Sequence, residues 1–389
     1  MKISKTILLI LAVIAGIHIA GIGIFYFNGK KEQAPPKLDK ASAGDADSKA
    51  SKTPESQTTN QQTKKSQNPL LGTHYSYRDA IRGNLKTIPE TSIIRAGIVV
   101  NIDNHQVLWA KEPREGYPIA SMTKMMTLLL ASEALENKPD LSFDTQVKIS
   151  LAASKIGGSQ VWLDPRETLS LGELMKSVAV KSANDSAYQV AEFINDGDVD
   201  GFIGMMNRRA RNLLMPNTAF VNPHGLKSKD GRNSISCAEG MARLAEQLLE
   251  HPLIMNLCAI QKTGFRDKNA RGHMILYNTN RLLGKCPGVD GLKTGFIQES
   301  GFCITVTCLR GGKRMIAVVM GSPSSARRNA LVADLLDWSY RRDAELNDPT
   351  YHLDRESKSF GSQILKEVKQ KKTVPMPKVN PIPSARKQK

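Results

Sequence analysis

The strongest constraint on the fold is a pair of alternating apolar stretches late in the chain, "GFCITVTCLR" and "KRMIAVVMGS", joined by Gly311-Gly312. Alternation with period two makes a strand with one face for a core, and a glycine link supplies the backbone freedom of a hairpin. A comparable pair lies far upstream in "RAGIVVNIDNHQVLWAKEP", with a tight turn at Asp103-Asn104-His105. Between the two pairs, "IASMTKMMTLLLASEALEN", "TLSLGELMKSVAVKSANDSAYQVAEFIN" and "CAEGMARLAEQLLEH" carry apolar residues at helical spacing, and "ARRNALVADLLDWSYRR" closes the body as a helix. Strands at both ends with helices between them predict an antiparallel sheet whose first and last strands meet, covered by helices. This is an α/β chain of the α+β type.

The flanks differ from this body. Residues 7–27, "ILLILAVIAGIHIAGIGIFYF", form an apolar run interrupted only by His18, preceded by Lys2 and Lys5 and stopped by Asn28-Gly29-Lys30-Lys31. At 1.5 Å per residue a helix of this length spans roughly 30 Å, the thickness of a bilayer core. Its length and its terminal Phe25-Tyr26-Phe27 cluster favour a retained anchor over a cleaved signal, so residues 1–28 are read as an anchor or signal and the body as exported. From Gly29 to about Asn68 there is almost nothing to bury, and the folded body is expected to begin near Leu85. Residues 29–84 are therefore read as a flexible linker, 85–342 as the catalytic domain and 343–389 as a basic, Pro-rich tail with a possible short helix around Gln363–Val368.

The formal net charge is +17, with ten Lys/Arg against two Asp/Glu from Arg355 onward. A basic excess suits nucleic acid, an anionic membrane or an anionic polymer. No zinc-finger spacing, RNP motif or aromatic-interleaved basic stripe accompanies it, so nucleic acid is not expected. The five cysteines (237, 258, 286, 303 and 308) show no C-x-x-C pairing, which argues against a metal site and for small buried apolar residues. No cofactor is implied.

Chemistry is carried by three short motifs. Ser121-Met-Thr-Lys124 starts a helix, and a spacing of three puts hydroxyl and amine on one face. A serine is a poor nucleophile without a base, and lysine serves as one only when its pKa falls toward neutrality, about 4 kcal/mol of differential interaction. Desolvation, a second cation and a helix N-terminus all act in that direction. Ser182-Ala-Asn184 offers a hydroxyl and a carboxamide from a loop between helices, suited to relaying a proton and holding an amide. Lys-Thr-Gly-Phe occurs twice, at Lys262 and at Lys293. The second copy ends an apolar run and precedes the two long strands, so it can present ammonium and hydroxyl groups at a cleft margin. The first is followed by the charged "FRDKNARGH" with no evident strand partner and is read as structural or incidental. Further copies of the two serine motifs, Ser384-Ala-Arg-Lys387 and Ser66-Gln-Asn68, lie in the flanks and are read as chance.

The order S-x-x-K, S-x-N, K-T-G within one domain is far more specific than any single motif. With "IASMTKMMT", "GGSQVWLDPRETLSLGELMKSVAVKSANDSA", "NPHGL", "NTNRLLGKCPGVDGLKTGF" and "MIAVVMGS", the body from about Leu85 to Arg342 resembles the D-alanyl-D-alanine carboxypeptidases, the low-molecular-mass penicillin-binding proteins. The resemblance implies the penicillin-binding/β-lactamase-like transpeptidase fold, with an antiparallel five-stranded sheet flanked by helices. By it, Ser121 is the acylated nucleophile, Lys124 its proton acceptor and Ser182 part of the proton shuttle to the leaving D-alanine. Asn184 binds the peptide amide. Lys293 and Thr294, followed by Gly295, engage the terminal carboxylate, together with Arg328, or Arg327 if the register slips by one. The backbone N–H groups of Ser121 and Phe296 form the oxyanion hole.

The implied activity is removal of the terminal D-alanine from peptidoglycan stem peptides through an acyl-enzyme that β-lactams trap as covalent inhibitors. The enzyme would sit at the cell membrane on a single N-terminal span, residues 7–27 in the lipid bilayer, with its catalytic domain outside the cytoplasm. Many relatives carry a β-rich second domain and a C-terminal amphipathic anchor, and the short basic stretch after Arg342 suits neither. A DD-endopeptidase with the same residues is the near alternative. A class A β-lactamase fits less well, because the middle motif is S-A-N and Glu167 lies on the wrong side of it. A non-catalytic penicillin-sensing module is the rival of another class.

Overall fold

In the computed structural model, residues 68–348 and 361–366 are described. Residues 7–27 and both flanking serine motifs' key positions, Ser66 and Ser384-Ala-Arg-Lys387, lie outside them. Among the described residues no helix is long and apolar enough to cross a membrane.

Along the chain the strands are β1 (Ile81–Arg82), β2 (Ala96–Asn101), β3 (Gln106–Lys111), β4 (Tyr117–Pro118), β5 (Gln146–Lys148), β6 (Thr168–Ser170), β7 (Ile235–Ser236), β8 (Lys262–Phe265), β9 (Met274–Tyr277), β10 (Val289–Ile297), β11 (Gly301–Arg310) and β12 (Lys313–Ser322). The helices are α1 (Lys124–Asn137), α2 (Leu151–Ser154), α3 (Leu171–Val180), α4 (Asn184–Ile194), α5 (Val199–Asn212), α6 (Ala238–Leu249), α7 (Pro252–Ala259) and α8 (Ser325–Asn347).

The main sheet runs β1-β3-β2-β12-β11-β10. Its first and last long strands meet as expected, β2 pairing antiparallel with β12 so that Ile98 faces Val318 and Val100 faces Ile316. Alternation sends neighbouring residues to opposite faces, and both faces are covered. Ile98, Val100, Ile316 and Val318 pack toward a core shared with α1, α3, α4 and α6, while Val99, Trp109, Ala317 and Val319 pack with Leu331 and Leu335 of α8. Three two-stranded ribbons, β4-β7, β5-β6 and β8-β9, lie apart from this sheet.

Two boundaries differ from the sequence reading. Residues 68–84, assigned to the linker, belong to the folded body and supply a sixth strand, β1, parallel to β3. The cause is polar and distant in sequence. Buried Glu246 of α6 accepts hydrogen bonds from Asn68 Nδ2 at 2.8 Å and the Tyr75 hydroxyl at 3.0 Å, and it contacts His105 Nε2 at 2.5 Å. Arg243 on the same helix donates to the Thr73 carbonyl at 3.1 Å. At the other end α8 continues past Arg342, because buried Asp343 accepts from Asn101 Nδ2 at 2.7 Å and Lys313 Nζ at 2.6 Å. Part of the tail also returns to the body as a helical turn over 361–366. There the Gly361 N–H donates to Asp334 Oδ1 at 3.0 Å and Ile364 packs on the α8 side of the sheet. All five cysteines are buried and free.

Candidate active site

The site is built where three pieces of backbone converge. Ser121 lies in a single 3-10 turn, Ala120–Thr123, that leads into α1. On one side is the loop Asn222-Pro223-His224-Gly225, whose Gly225 has φ +83° and passes so close that a Cβ would lie 2.0 Å from the Ala120 carbonyl oxygen. On the other is β10, where a Cβ on Gly295 would lie 2.5 Å from the Ile119 carbonyl oxygen. Only glycine permits either approach. The loop is pinned in turn by the Thr127 hydroxyl, which donates to the Pro223 carbonyl at 2.6 Å.

Lys124 is fully buried, and its Nζ lies 3.0 Å from Ser121 Oγ, 2.6 Å from Asn184 Oδ1 and 2.6 Å from the His224 carbonyl oxygen. Burial, and secondly the charge of Lys293, push its pKa well below the ordinary lysine value, against an upward pull from Asp185. A neutral amine has two N–H donors and one lone pair. Asn184 Oδ1 and the His224 carbonyl are placed to accept the two donors of such an amine, with Ser121 Oγ as its third neighbour. His224, mostly buried, has its own pKa pushed down to about 3 by burial and then by Lys124, so its ring adds no charge at neutral pH.

Ser182 stands in the turn between α3 and α4 with φ +65°, and its Oγ is buried without a hydrogen-bond partner among the described residues. A strained residue holding an unsatisfied hydroxyl is costly, which marks a position kept for something other than stability. Asn184 begins α4, its side-chain Nδ2 donating to the Gly157 carbonyl at 2.8 Å and its backbone N–H to the Ser159 carbonyl at 2.6 Å. The next residue, Asp185, is buried and accepts from the N–H groups of Val161 and Leu163. Burial raises its pKa while these N–H groups and that of Ser186 hold it down.

Lys293 on β10 is buried, and burial with the nearby Arg328 charge brings its pKa to about 7 in spite of an opposing pull from Cys258. Thr294 donates its hydroxyl to Thr279 Oγ1 at 2.8 Å. Phe296 is about half exposed and stacks on Phe302 with ring centroids 4.2 Å apart. Arg328 is buried behind the strand, donating to the Cys303 carbonyl at 3.2 Å and to Asn329 Oδ1 at 2.8 Å, with burial lowering its pKa to about 10. Arg327 points away, to Glu90 at 4.0 Å. Of the two arginines it is thus the charge of Arg328 that acts on Lys293, while Arg327 lies toward Glu90.

One expectation is overturned. The first Lys-Thr-Gly-Phe does have a strand partner: it is β8, paired in register with β9, so that Lys262 faces Tyr277 and Phe265 faces Met274. The intervening "RDKNARGH" is the hairpin loop, too long and too charged to read as a turn. Sequence reasoning also assigned no role to His224, whose carbonyl orients Lys124, or to the carbonyls of Gly157 and Ser159, which hold Asn184. Their blocks, "NPHGL" and "GGSQ", carried the only signal, because backbone groups leave no residue type to find.

A family model described as D-alanyl-D-alanine carboxypeptidase matches residues 86–324. Among curated proteins, the chain is 37% identical over 246 residues to D-alanyl-D-alanine carboxypeptidase DacF of Bacillus subtilis, covering 63% of this chain and 62% of that protein. It is 30% identical to DacC of Escherichia coli, covering 64% of this chain and 61% of the relative. The alignments thus span 62% and 61% of these relatives' length. Of solved structures, penicillin-binding protein D2 from Listeria monocytogenes in its ampicillin-bound form has 30% identity and a TM-score of 0.57, covering 64% of this chain and 97% of that one. The carboxypeptidase DacD from Francisella tularensis has 25% identity and a TM-score of 0.59, covering 64% and 70%.

Proposed function

The chain belongs to the D-alanyl-D-alanine carboxypeptidase family, and from that premise we propose that it is a serine peptidase that removes the terminal D-alanine from peptidoglycan stem peptides. The observation that carries the reading is the setting of Lys124, a buried amine whose pKa is pushed down and whose Nζ lies 3.0 Å from Ser121 Oγ and 2.6 Å from both Asn184 Oδ1 and the His224 carbonyl oxygen.

Ser121 Oγ attacks the carbonyl carbon of the penultimate residue while its proton passes to Lys124 Nζ. The N–H groups of Ser121 and Phe296 receive the developing oxyanion. As the C–N bond breaks, the proton moves from Nζ through the Ser182 hydroxyl to the departing amine, leaving an ester on Ser121. Water then attacks that ester, giving one proton to Nζ, and the Ser121 oxygen recovers it on release. Asn184 holds the substrate amide as well as Lys124. Lys293 and Thr294, backed by Arg328, take the terminal carboxylate, which explains why a cation is kept in so buried a place. A β-lactam follows the same path as far as the ester, but its amine stays attached and obstructs the water.

The apolar run over residues 7–27 supports a single N-terminal membrane span with the catalytic domain outside the cytoplasm, where stem peptides are. The basic balance of +17 suits an anionic wall or bilayer surface.

The test is to incubate the protein with benzylpenicillin and locate the adduct by mass spectrometry, then to measure D-alanine release from a pentapeptide and cleavage of a cross-linked dimer. The reading expects one adduct on Ser121, none in Ser121→Ala, and release from the pentapeptide. An adduct at another residue, or none, overturns it. Cleavage of the dimer in preference to the pentapeptide would make the enzyme an endopeptidase.

A further inference from the structure

The β8-β9 hairpin made by the first Lys-Thr-Gly-Phe has no part in the mechanism above, yet the residue that follows it, Arg266, is among the most heavily engaged in the molecule. Its side chain is almost wholly buried, and its backbone has φ +63°. A guanidinium has five N–H donors, and all five are used. Nε and one Nη2 proton grip Glu167 at 2.8 and 2.7 Å, the other Nη2 proton goes to the Trp162 carbonyl at 2.9 Å, and Nη1 reaches the carbonyls of Val161 and Gly272, each at 3.0 Å.

Four of these contacts fall on one segment, residues 161–167. That segment is held from its other side by Asp185, which accepts from the N–H groups of Val161 and Leu163. Just before it come the Gly157 and Ser159 carbonyls that fix Asn184. The fit is close, since a Cβ on Gly158 would lie 2.6 Å from Asn184 Nδ2. Asn184 Oδ1 in turn accepts from Lys124.

We propose that Arg266 is a positioning residue: through Glu167 and the 161–162 carbonyls it fixes the 157–167 loop, and the loop holds Asn184 against the Lys124 amine and keeps water from it. The inference rests on the proposed function for its kinetic consequences, while its structural core does not. It also accounts for Glu167, whose carboxylate serves Arg266 and the Asp164 N–H.

Loosening the loop would hydrate Lys124 and raise its pKa toward the ordinary value. The other charged or titratable groups around it are Lys293 from β10, Asp185 from α4 and His224 from the adjoining loop, and the substitution removes none of them. Loosening the loop draws the Val161 and Leu163 N–H groups from Asp185 but also admits water to that carboxylate, so its upward pull on Lys124 persists. The acid limb of the rate profile should therefore move to higher pH, with activity partly recovered by raising pH.

The experiment compares the full chain with Arg266→Ala, Arg266→Lys and Glu167→Gln, and with Arg310→Ala as a control that breaks an equally close pair, to Asp337, at the far end of β11. Two quantities are measured: amide hydrogen exchange at Val161, Leu163 and Asn184, and penicillin acylation rate against pH. Arg266→Ala should speed exchange at all three amides at least about tenfold and slow acylation by on the order of tenfold to a hundredfold, as misplacement within a site does. Lysine, with three donors, should recover only part. Where the alanine variant does not fold, the lysine and glutamine variants carry the same comparison. Unchanged exchange, or faster exchange with the acid limb unmoved, overturns the proposal. A parent chain that penicillin does not acylate overturns the functional reading instead, and the exchange data still decide whether Arg266 holds the loop.

Discussion

Replacing Gly295 by alanine tests whether the site depends on the close approach of β10 to the nucleophile turn. The added Cβ would lie 2.5 Å from the Ile119 carbonyl oxygen and 3.2 and 3.3 Å from Met122 Cγ and N. A carbon–oxygen contact is comfortable from about 3.3 Å, so the two segments must part by roughly 0.8 Å. Neither can yield by a side-chain rotation. The clash is with backbone, β10 is paired along its length with β11, and the Ile119 N–H is bonded to the Ser234 carbonyl at 3.1 Å. A misplacement of about 1 Å costs on the order of a hundredfold in rate. The prediction is a loss of about 10- to 100-fold in acylation, or about 1.4 to 2.7 kcal/mol of activation free energy, with an overpacking cost of about 1–3 kcal/mol in stability. The duplicated tetrapeptide supplies its own control. At Gly264 the Cβ would meet one side-chain atom, Cε1 of His273 at 3.3 Å, and no backbone. Stopped-flow acylation by a chromogenic β-lactam should therefore separate the two variants, with Gly264→Ala within about twofold of the parent. Parent-like rates in Gly295→Ala, or equal losses in both, would refute the reasoning.

Other outcomes follow from the same geometry. The profile of kcat/KM against pH should be a bell: activity rises as Lys124 loses its proton and falls as Lys293, with a pKa of about 7, loses the charge that holds the carboxylate. Lys293→Arg stays charged and should abolish the basic limb near 7, and a limb that persists would mean another group sets it. Ser182→Ala removes a buried hydroxyl that has no hydrogen-bond partner among the described residues, so the melting temperature should hold or rise while turnover drops by about 10²–10⁴; a large loss of stability would show that the hydroxyl is structural. Glu246→Leu strips Asn68 and Tyr75 of their acceptor, which should cost about 1–3 kcal/mol and expose residues 68–84 to limited proteolysis before the rest of the body. Simultaneous cleavage throughout would contradict that account.

Much of this protein was settled along the chain. Alternation in β2, β3, β11 and β12 dictated strands, and their placement at both ends of the body dictated that first and last would meet. Ser121, Lys124, Ser182, Asn184 and Lys293 could be singled out because the proposed chemistry needs particular side chains at short, recognisable spacings. The Lys293 copy of Lys-Thr-Gly-Phe was chosen from the long strands that follow it and not from the tetrapeptide itself, since both copies form strands and both pair antiparallel. Tertiary structure adds the physical difference, bringing Ile119 against Gly295 and leaving Gly264 in a separate two-stranded hairpin. It likewise buried Arg328 where its charge acts on Lys293 and left Arg327 toward Glu90, drew residues 68–84 into the body through Glu246, and set the His224 and Gly157 carbonyls against Lys124 and Asn184. Side-chain chemistry is written in residue types, whereas burial, backbone acceptors and the shared field of Lys124, Lys293 and Arg328 exist only once distant segments are packed together.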